Sequence, residues 1–300
     1  MSVYNNILDC IGNTPIISLK EFAPNLYAKC EYFNPSHSIK DRAAVEMIKQ
    51  ALGEGRINQE TTIIEATSGN TGIALAMICA SLKLKLIIAM PESMSIERRK
   101  MMSFFGAKLE LTQANKGMQG ALDRANELLS EIPNSFMVSQ FENINNKNAH
   151  RKNTALEILK VLPDIDVFLA GFGTGGTISG VGEILKEHNP NVKIIALEPA
   201  SSPLLSQNTA ASHKIQGIGA NFIPKILNQK IIDEIVCVSN EDAINTALEL
   251  GKNGIMAGIS SGANVYMARK IALENPDKKV LTMLNDTAER YLSTDLFANL

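Results

Sequence analysis

Asn34-Pro35-Ser36-His37-Ser38-Ile39-Lys40-Asp41-Arg42 is the stretch on which the reading of this chain turns, with Lys40 at its centre. A lysine that opens a helix directly after a small, hydroxyl-rich turn can be held facing a cavity, where desolvation lowers its pKa toward that of a usable amine. Such a residue is suited to Schiff-base chemistry. The same nine residues also fit a solvated Lys-Asp-Arg cluster at a helix start, so their meaning depends on what surrounds them.

Outward from this stretch, strand-like runs alternate with helical periods to the end of the chain. That alternation predicts an α/β protein with two lobes of twisted, mostly parallel sheet flanked by helices. Upstream, residues 14–19 and 25–31 read as two short strands joined by a turn. Downstream, a helix runs from Lys40 to about Gly53, and strands at 61–66, 84–89, 107–111 and 136–141 alternate with helices at 73–82, around Arg98-Arg99-Lys100, and at 116–130. The polar run Glu142-Asn143-Ile144-Asn145-Asn146-Lys147-Asn148 reads as a junction between lobes. Beyond it come a helix at 153–161, strands at 166–170 and 192–197 around a glycine run, and a long irregular stretch to Pro224.

Composition narrows the function. Three hundred residues, 45% apolar and 20% charged, with 29 basic against 31 acidic side chains, describe a globular protein with room for two cores. A near-neutral balance gives no basis for nucleic acid or an anionic membrane as partner. The first residues lack the basic start and apolar run of a signal peptide, and no stretch is apolar enough for a membrane span, so a cytoplasmic protein is expected. Cys10, Cys30, Cys79 and Cys237 are scattered and read as reduced thiols; His37, His150, His188 and His213 are scattered too, so neither a metal site nor a Ser-His-Asp triad is supported.

Three loops carry chemistry at the ends of strands, where sheets of this kind bind ligands. In the first, Gly173, Thr174, Gly175, Gly176 and Thr177 open a helix and compose a phosphate cradle of backbone N–H groups and hydroxyls. Gly171, Gly173 and Gly176 with Glu198 equally fit a dinucleotide fingerprint, and tight packing alone is a further explanation. In the second, Thr67, Ser68, Gly69, Asn70 and Thr71 suit a substrate carboxylate or ordinary helix capping. The third is Gly258-Ile259-Ser260-Ser261-Gly262-Ala263, read as lying between a strand-like run and a helix, where a capping serine is the simpler explanation.

In this order and at these separations, the Ser-Ile-Lys-Asp-Arg segment and the three loops resemble the fold type II pyridoxal-phosphate enzymes, and within them the cysteine synthase (O-acetylserine sulfhydrylase) family. Ile11-Gly12-Asn13-Thr14-Pro15, residues 90–99, Gln140-Phe141, residues 213–220 and residues 289–294 extend the likeness over nearly the whole chain. The resemblance implies a smaller, mobile N-terminal lobe of residues 35–145, and a larger lobe of residues 1–34 and 146–300 in which the opening strands cross over. It also implies a homodimer. Lys40 would hold pyridoxal 5'-phosphate as a Schiff base, Gly173 to Thr177 its phosphate, Asn70 its ring oxygen and Ser260 its pyridine nitrogen, while Thr67, Ser68, Gly69, Thr71 and Gln140 would hold the amino-acid carboxylate. A neutral serine opposite the ring nitrogen makes a weaker electron sink and favours elimination at Cβ over transamination.

The implied activity is β-replacement, turning O-acetyl-L-serine and sulfide into L-cysteine and acetate through an aminoacrylate. The same residues would serve a sulfide-releasing cysteine lyase, or a lanthionine or cystathionine β-synthase. From another class, a nicotinamide-dependent oxidoreductase would use Gly171, Gly173, Gly176 and Glu198 but leaves Lys40 unexplained. An idle protein holding a partner's C-terminal peptide, as cysteine synthases do with serine acetyltransferase, is a fourth reading. Two positions depart from the family: His37, and Asn221 where many relatives carry glycine, at the expected pocket mouth. A polar Asn221 side chain could there orient water or a thiol.

Overall fold

Runs rich in Ile, Leu, Val and Ala form strands where the alternation places them. In the computed structural model, which describes residues 3–298, these strands pair into two sheets. Met1 and Ser2 lie outside the described residues. The first sheet orders β1 (Ile16–Ser18), β2 (Leu26–Cys30), β10 (Val280–Leu284), β7 (Val167–Gly171), β8 (Lys193–Pro199) and β9 (Glu234–Val238). The second orders β5 (Lys108–Thr112), β4 (Lys85–Pro91), β3 (Thr62–Ala66) and β6 (Ser135–Met137). Among these strands of the described residues, only the β1–β2 pair is antiparallel. The opening hairpin therefore crosses the chain order, with β2 lying parallel to β10 and Leu26 opposite Val280.

The helices are α1 (Lys40–Gly53), α2 (Asn70–Leu82), α3 (Ile96–Phe104), α4 (Gly117–Glu131), α5 (Ile144–Ala149), α6 (Ala155–Val161), α7 (Gly176–His188), α8 (Leu204–Gln207), α9 (Asn240–Lys252) and α10 (Ile259–Glu274). Central strands β3, β4, β8 and β10 are buried along almost their whole length, as parallel strands covered on both faces must be. Helix α2 is apolar on every side and buried from Thr71 to Cys79, because it packs among α1, α3 and β4. All four cysteines are free, and burial pushes the Cys30 and Cys79 thiols up to about 11 and about 12, which leaves them unreactive.

Two expectations need correction. The strand expected over 136–141 ends at Met137, because Ser139 takes a left-handed φ of 56° and the buried Glu65 carboxylate accepts the N–H groups of Ser139 (2.8 Å) and Gln140 (3.2 Å). The chain turns there instead of extending. Within the polar run 142–148, Asn143 caps α5, and Asn146, 2% exposed, donates to the Gln140 carbonyl (2.8 Å) and to Thr174 Oγ1 (3.0 Å). Finally, no strand precedes Gly258; Ala257 makes a single bridge to Thr287, and α9 supplies the preceding element.

Candidate active site

The loops that follow β3, β6 and β7, together with the starts of α1 and α10, open on one cavity of about 740 Å³. Lys40, Thr67, Ser68, Gly69, Asn70, Thr71, Gln140, Gly173, Thr174, Gly175, Thr177 and Ser260 all line it. Gly176 does not reach the wall. It lies buried at the start of α7, where a Cβ would collide with the Asn146 side chain.

Lys40 is placed by its neighbours on both sides. Ser38 bridges to Asp286, the Ile39 N–H donates to the Asn285 carbonyl (2.9 Å), and the Lys40 N–H donates to Ser38 Oγ (3.3 Å). One residue on, Asp41 accepts from the Ser36 N–H (2.7 Å) and from its hydroxyl, and burial still pushes the Asp41 carboxyl up to about 6. Burial holds the Lys40 ammonium below the ordinary lysine range, while the Asp286 carboxylate pulls it back up. Burial thus lowers the proton affinity of the side chain that the fold holds at residue 40.

The phosphate-cradle reading fits the backbone of the glycine loop. A Cβ on Gly173 would meet the Gly217 carbonyl oxygen at 2.6 Å, and Gly175 has φ +81°, so only glycine keeps this approach open. The first turn of α7 leaves N–H groups without helical partners next to the cavity. Thr174 Oγ1 is held by Asn146, and Thr177 Oγ1 lies 3.3 Å from His150 Nε2. His150 is pushed down to about 3, mainly by burial, with the Arg42 and Lys40 cations adding to it, so it stands neutral beside an anion site. These donors, the buried Lys40 side chain whose proton affinity burial lowers, and the Ser260 hydroxyl, which accepts from Asn285 Nδ2 (3.1 Å), fit the chemistry of pyridoxal phosphate.

On the other side, Thr71 Oγ1 donates to Gln140 Oε1 at 2.6 Å, tying the Thr67–Thr71 loop to the turn after β6. Asn70 is held at both ends: its Nδ2 donates to Asp286 Oδ2 (2.6 Å), and its Oδ1 accepts from Arg290 Nη1 (2.7 Å). Tyr291 donates to the same Asp286 oxygen (2.6 Å), and Arg290 Nη2 donates to the Ser36 carbonyl (2.7 Å).

Sequence reasoning did not assign roles to Asn146, His150, Asp286 or Arg290. Asp286 and Arg290 lie more than two hundred residues from Asn70 in the chain, and nothing local marks them as its partners. Asn146 was readable only as a polar residue in a polar run. Glu198, the ribose partner in the dinucleotide reading, is 1% exposed, and its carboxylate accepts from the N–H groups of Leu205 (2.9 Å) and Ser206 (3.0 Å) and from the Ser206 hydroxyl. It caps α8 and is not among the residues lining the cavity. Asn221 does line the cavity, but at φ +62° with Oδ1 accepting from Ser202 Oγ (2.7 Å). That left-handed φ is one that asparagine tolerates better than most residues.

No helix among the described residues is long and apolar enough to cross a membrane, and no cluster of three or more His, Cys, Asp or Glu among them could hold a metal ion. Residues 7–286 match the family of pyridoxal-phosphate dependent enzymes. The chain is 70% identical over 299 residues to cysteine synthase B of Campylobacter jejuni, covering 99% of this chain and 100% of that protein. Among solved structures, it is similar to O-acetyl serine sulfhydrylase isoform 3 of Entamoeba histolytica, with TM-score 0.95 and 41% identity over 100% of this chain and 93% of the other. It is likewise similar to a hydrogen sulfide-producing enzyme of Fusobacterium nucleatum, with TM-score 0.94 and 44% identity over 97% and 99% of the two chains.

Proposed function

Since this chain belongs to the pyridoxal-phosphate dependent enzymes, in their cysteine synthase branch, we infer that the cavity around Lys40 makes L-cysteine by β-replacement on O-acetyl-L-serine. The cofactor is pyridoxal phosphate. When bound, it supplies the electron sink that loosens the Cα proton and lets the β-substituent depart. The observation that carries the assignment of residues is the convergence of a desolvated Lys40 amine with two anion-binding loops on one cavity.

In this reading Lys40 Nζ would hold the cofactor, and the same amine would take the Cα proton and later return it. Gly173, Thr174, Gly175, Gly176 and Thr177 bind the phosphate, and Ser260 faces the ring nitrogen. Thr67, Ser68, Gly69 and Thr71 orient the substrate carboxylate together with Gln140, whose position the Glu65 carboxylate maintains. Asn70, held between Asp286 and Arg290, presents its amide to the ring oxygen. Residues 35–145 form the smaller lobe, which closes on substrate, and residues 1–34 with 146–300 form the larger; the confinement of the four-stranded sheet to residues 62–137 supports that division. The enzyme acts in the cytoplasm as a homodimer, and the cleft also has the donors to accept the C-terminal carboxylate of a serine acetyltransferase.

The likeness to the Fusobacterium enzyme favours one second reading, release of sulfide from L-cysteine in the same cavity. Recording the visible spectrum of the purified holoenzyme with O-acetyl-L-serine, and separately with L-cysteine, decides between them. A spectral change with O-acetylserine that sulfide reverses supports synthesis; a change with L-cysteine alone supports release. Lys40→Ala should abolish the reversible spectral change and lower kcat by at least about 10³-fold. A variant that still turns over at the wild-type rate removes Lys40 from the mechanism.

A further inference from the structure

Arg98 sits in the first turn of α3, is 6% exposed, and lines the same cavity as Lys40. Its guanidinium makes no ion pair and no hydrogen bond among the described residues, and its Nε is buried without any partner. The group instead lies over the Tyr291 ring, 5.2 Å from the centroid. Burial pushes the Tyr291 phenol well above its ordinary value, so the ring is neutral, and its hydroxyl is already given to Asp286. The neighbouring carboxylate, Glu97, is bonded to Ser95 and to Ser293 Oγ (3.0 Å) rather than to Arg98.

A guanidinium removed from water with its donors unmatched is costly unless an anion completes it. Nothing in the proposed roles of the other cavity residues uses this charge. The cofactor phosphate is assigned to the start of α7 and the substrate carboxylate to the start of α2, whereas Arg98 belongs to α3. Two further anions pass through the cavity in β-replacement. The Cβ–O bond breaks with its electron pair going to acetate, and hydrosulfide brings the pair that forms the Cβ–S bond, so one monoanion leaves as another enters. A permanently charged arginine can serve both without changing protonation, and its planar fork matches a carboxylate in two parallel hydrogen bonds.

We propose that Arg98 forms a subsite for a small monoanion on the α3 side of the cleft, taking the carboxylate released from the substrate or the hydrosulfide that replaces it. The proposal rests on the β-replacement reading. It is tested by calorimetric titration of acetate into the holoenzyme, wild type against Arg98→Gln, in parallel with KM for sulfide and the inhibition constant of acetate. Any acetate held at the Thr67–Thr71 loop is common to both proteins and cancels in the comparison. The expected result is acetate binding weakened by about tenfold or more in Arg98→Gln. A raised acetate constant alone assigns the subsite to the leaving group, and a raised KM for sulfide alone assigns it to the nucleophile.

Equal acetate affinity in the two proteins together with an unmoved KM for sulfide overturns the proposal. Visible spectra of the same samples separate the two readings. A wild type that never shows a cofactor band or a response to O-acetylserine removes the enzyme assignment, whereas normal spectra with unmoved anion affinities remove only the Arg98 subsite. Should Arg98→Gln not fold, Arg98→Lys carries the test. It keeps the charge but loses the fork, so the preference for acetate over chloride should fall; an unchanged preference overturns the subsite.

Discussion

At the scale of single residues, the site depends on how the proton affinity of Lys40 is set. Burial lowers it and Asp286 raises it, and Asp286 is itself 1% exposed, with Oδ2 shared by Asn70 and Tyr291 and Oδ1 without a hydrogen-bond partner. Asp286→Asn removes the opposing charge while leaving an oxygen for the same two donors. The Lys40 pKa should then fall further, so that in the cofactor-free protein the rate of Lys40 acylation reaches its alkaline plateau at a lower pH than in wild type. An unshifted or upward-shifted profile would show that Asp286 does not act on Lys40. The sequence made Lys40 readable because its turn, hydroxyls and helix start are contiguous. Asp286 was not readable, since its relation to Lys40 exists only through the pairing of residue 38 with residue 286.

Elements were legible where their periodicity was local. The helix from Lys40 and the buried strands β3, β4 and β8 follow from apolar pattern alone, and α2 from a run too long and too apolar for a strand. The failures lie where a distant side chain overrides the local pattern, and the turn after β6 is the clearest. There Glu65, from the neighbouring strand, accepts the N–H groups of Ser139 and Gln140 and ends the strand early. Burial pushes the Glu65 carboxyl up to about 7, against the opposing pull of those N–H groups. A folded-state pKa above the ordinary value of 4.5 means that the folded state keeps a proton the unfolded chain has lost. This group's contribution to stability is therefore complete below pH 4.5 and is lost as pH rises through about 7, by at most about 3 kcal/mol. Glu65→Gln should flatten that decline in urea unfolding between those pH values and loosen Gln140, raising KM for O-acetylserine. A slope unchanged by the substitution would place the titrating group elsewhere.

For the whole molecule, the question is what holds the helix of Lys40 to the crossover strands. A buried charge cluster does so: Glu31 at the end of β2 accepts from Arg42 Nε (2.6 Å) and Nη2 (2.9 Å), from Thr14 Oγ1 (2.6 Å) and from Asn34 Nδ2 (2.9 Å). Arg42 reaches on to both oxygens of Glu157 in α6 (2.7 Å each), and Lys29 of β2 pairs with Glu157 at 2.8 Å. Burial alone would raise both carboxyls, yet Arg42 and Lys29 hold Glu31 below the ordinary carboxylate range and Glu157 down to about 2. Their contribution is thus present above about pH 4.5 and lost as pH falls toward 2, the reverse of the Glu65 window. Replacing such a cluster by apolar residues could be neutral, but removing one member leaves an uncompensated buried charge, at a cost of about 3–5 kcal/mol. Glu31→Gln should lower the unfolding free energy by about that amount at pH 7, and by less as the pH drops and the wild type loses the same carboxylate. Because Arg42 stands two residues after Lys40, the same change should weaken cofactor retention on dialysis even where the protein stays folded. Full retention alongside the expected loss of stability would mean that the cluster ties β2, α1 and α6 together without placing the lysine, and that the pairing of residues 38–39 with 285–286 is enough to hold it.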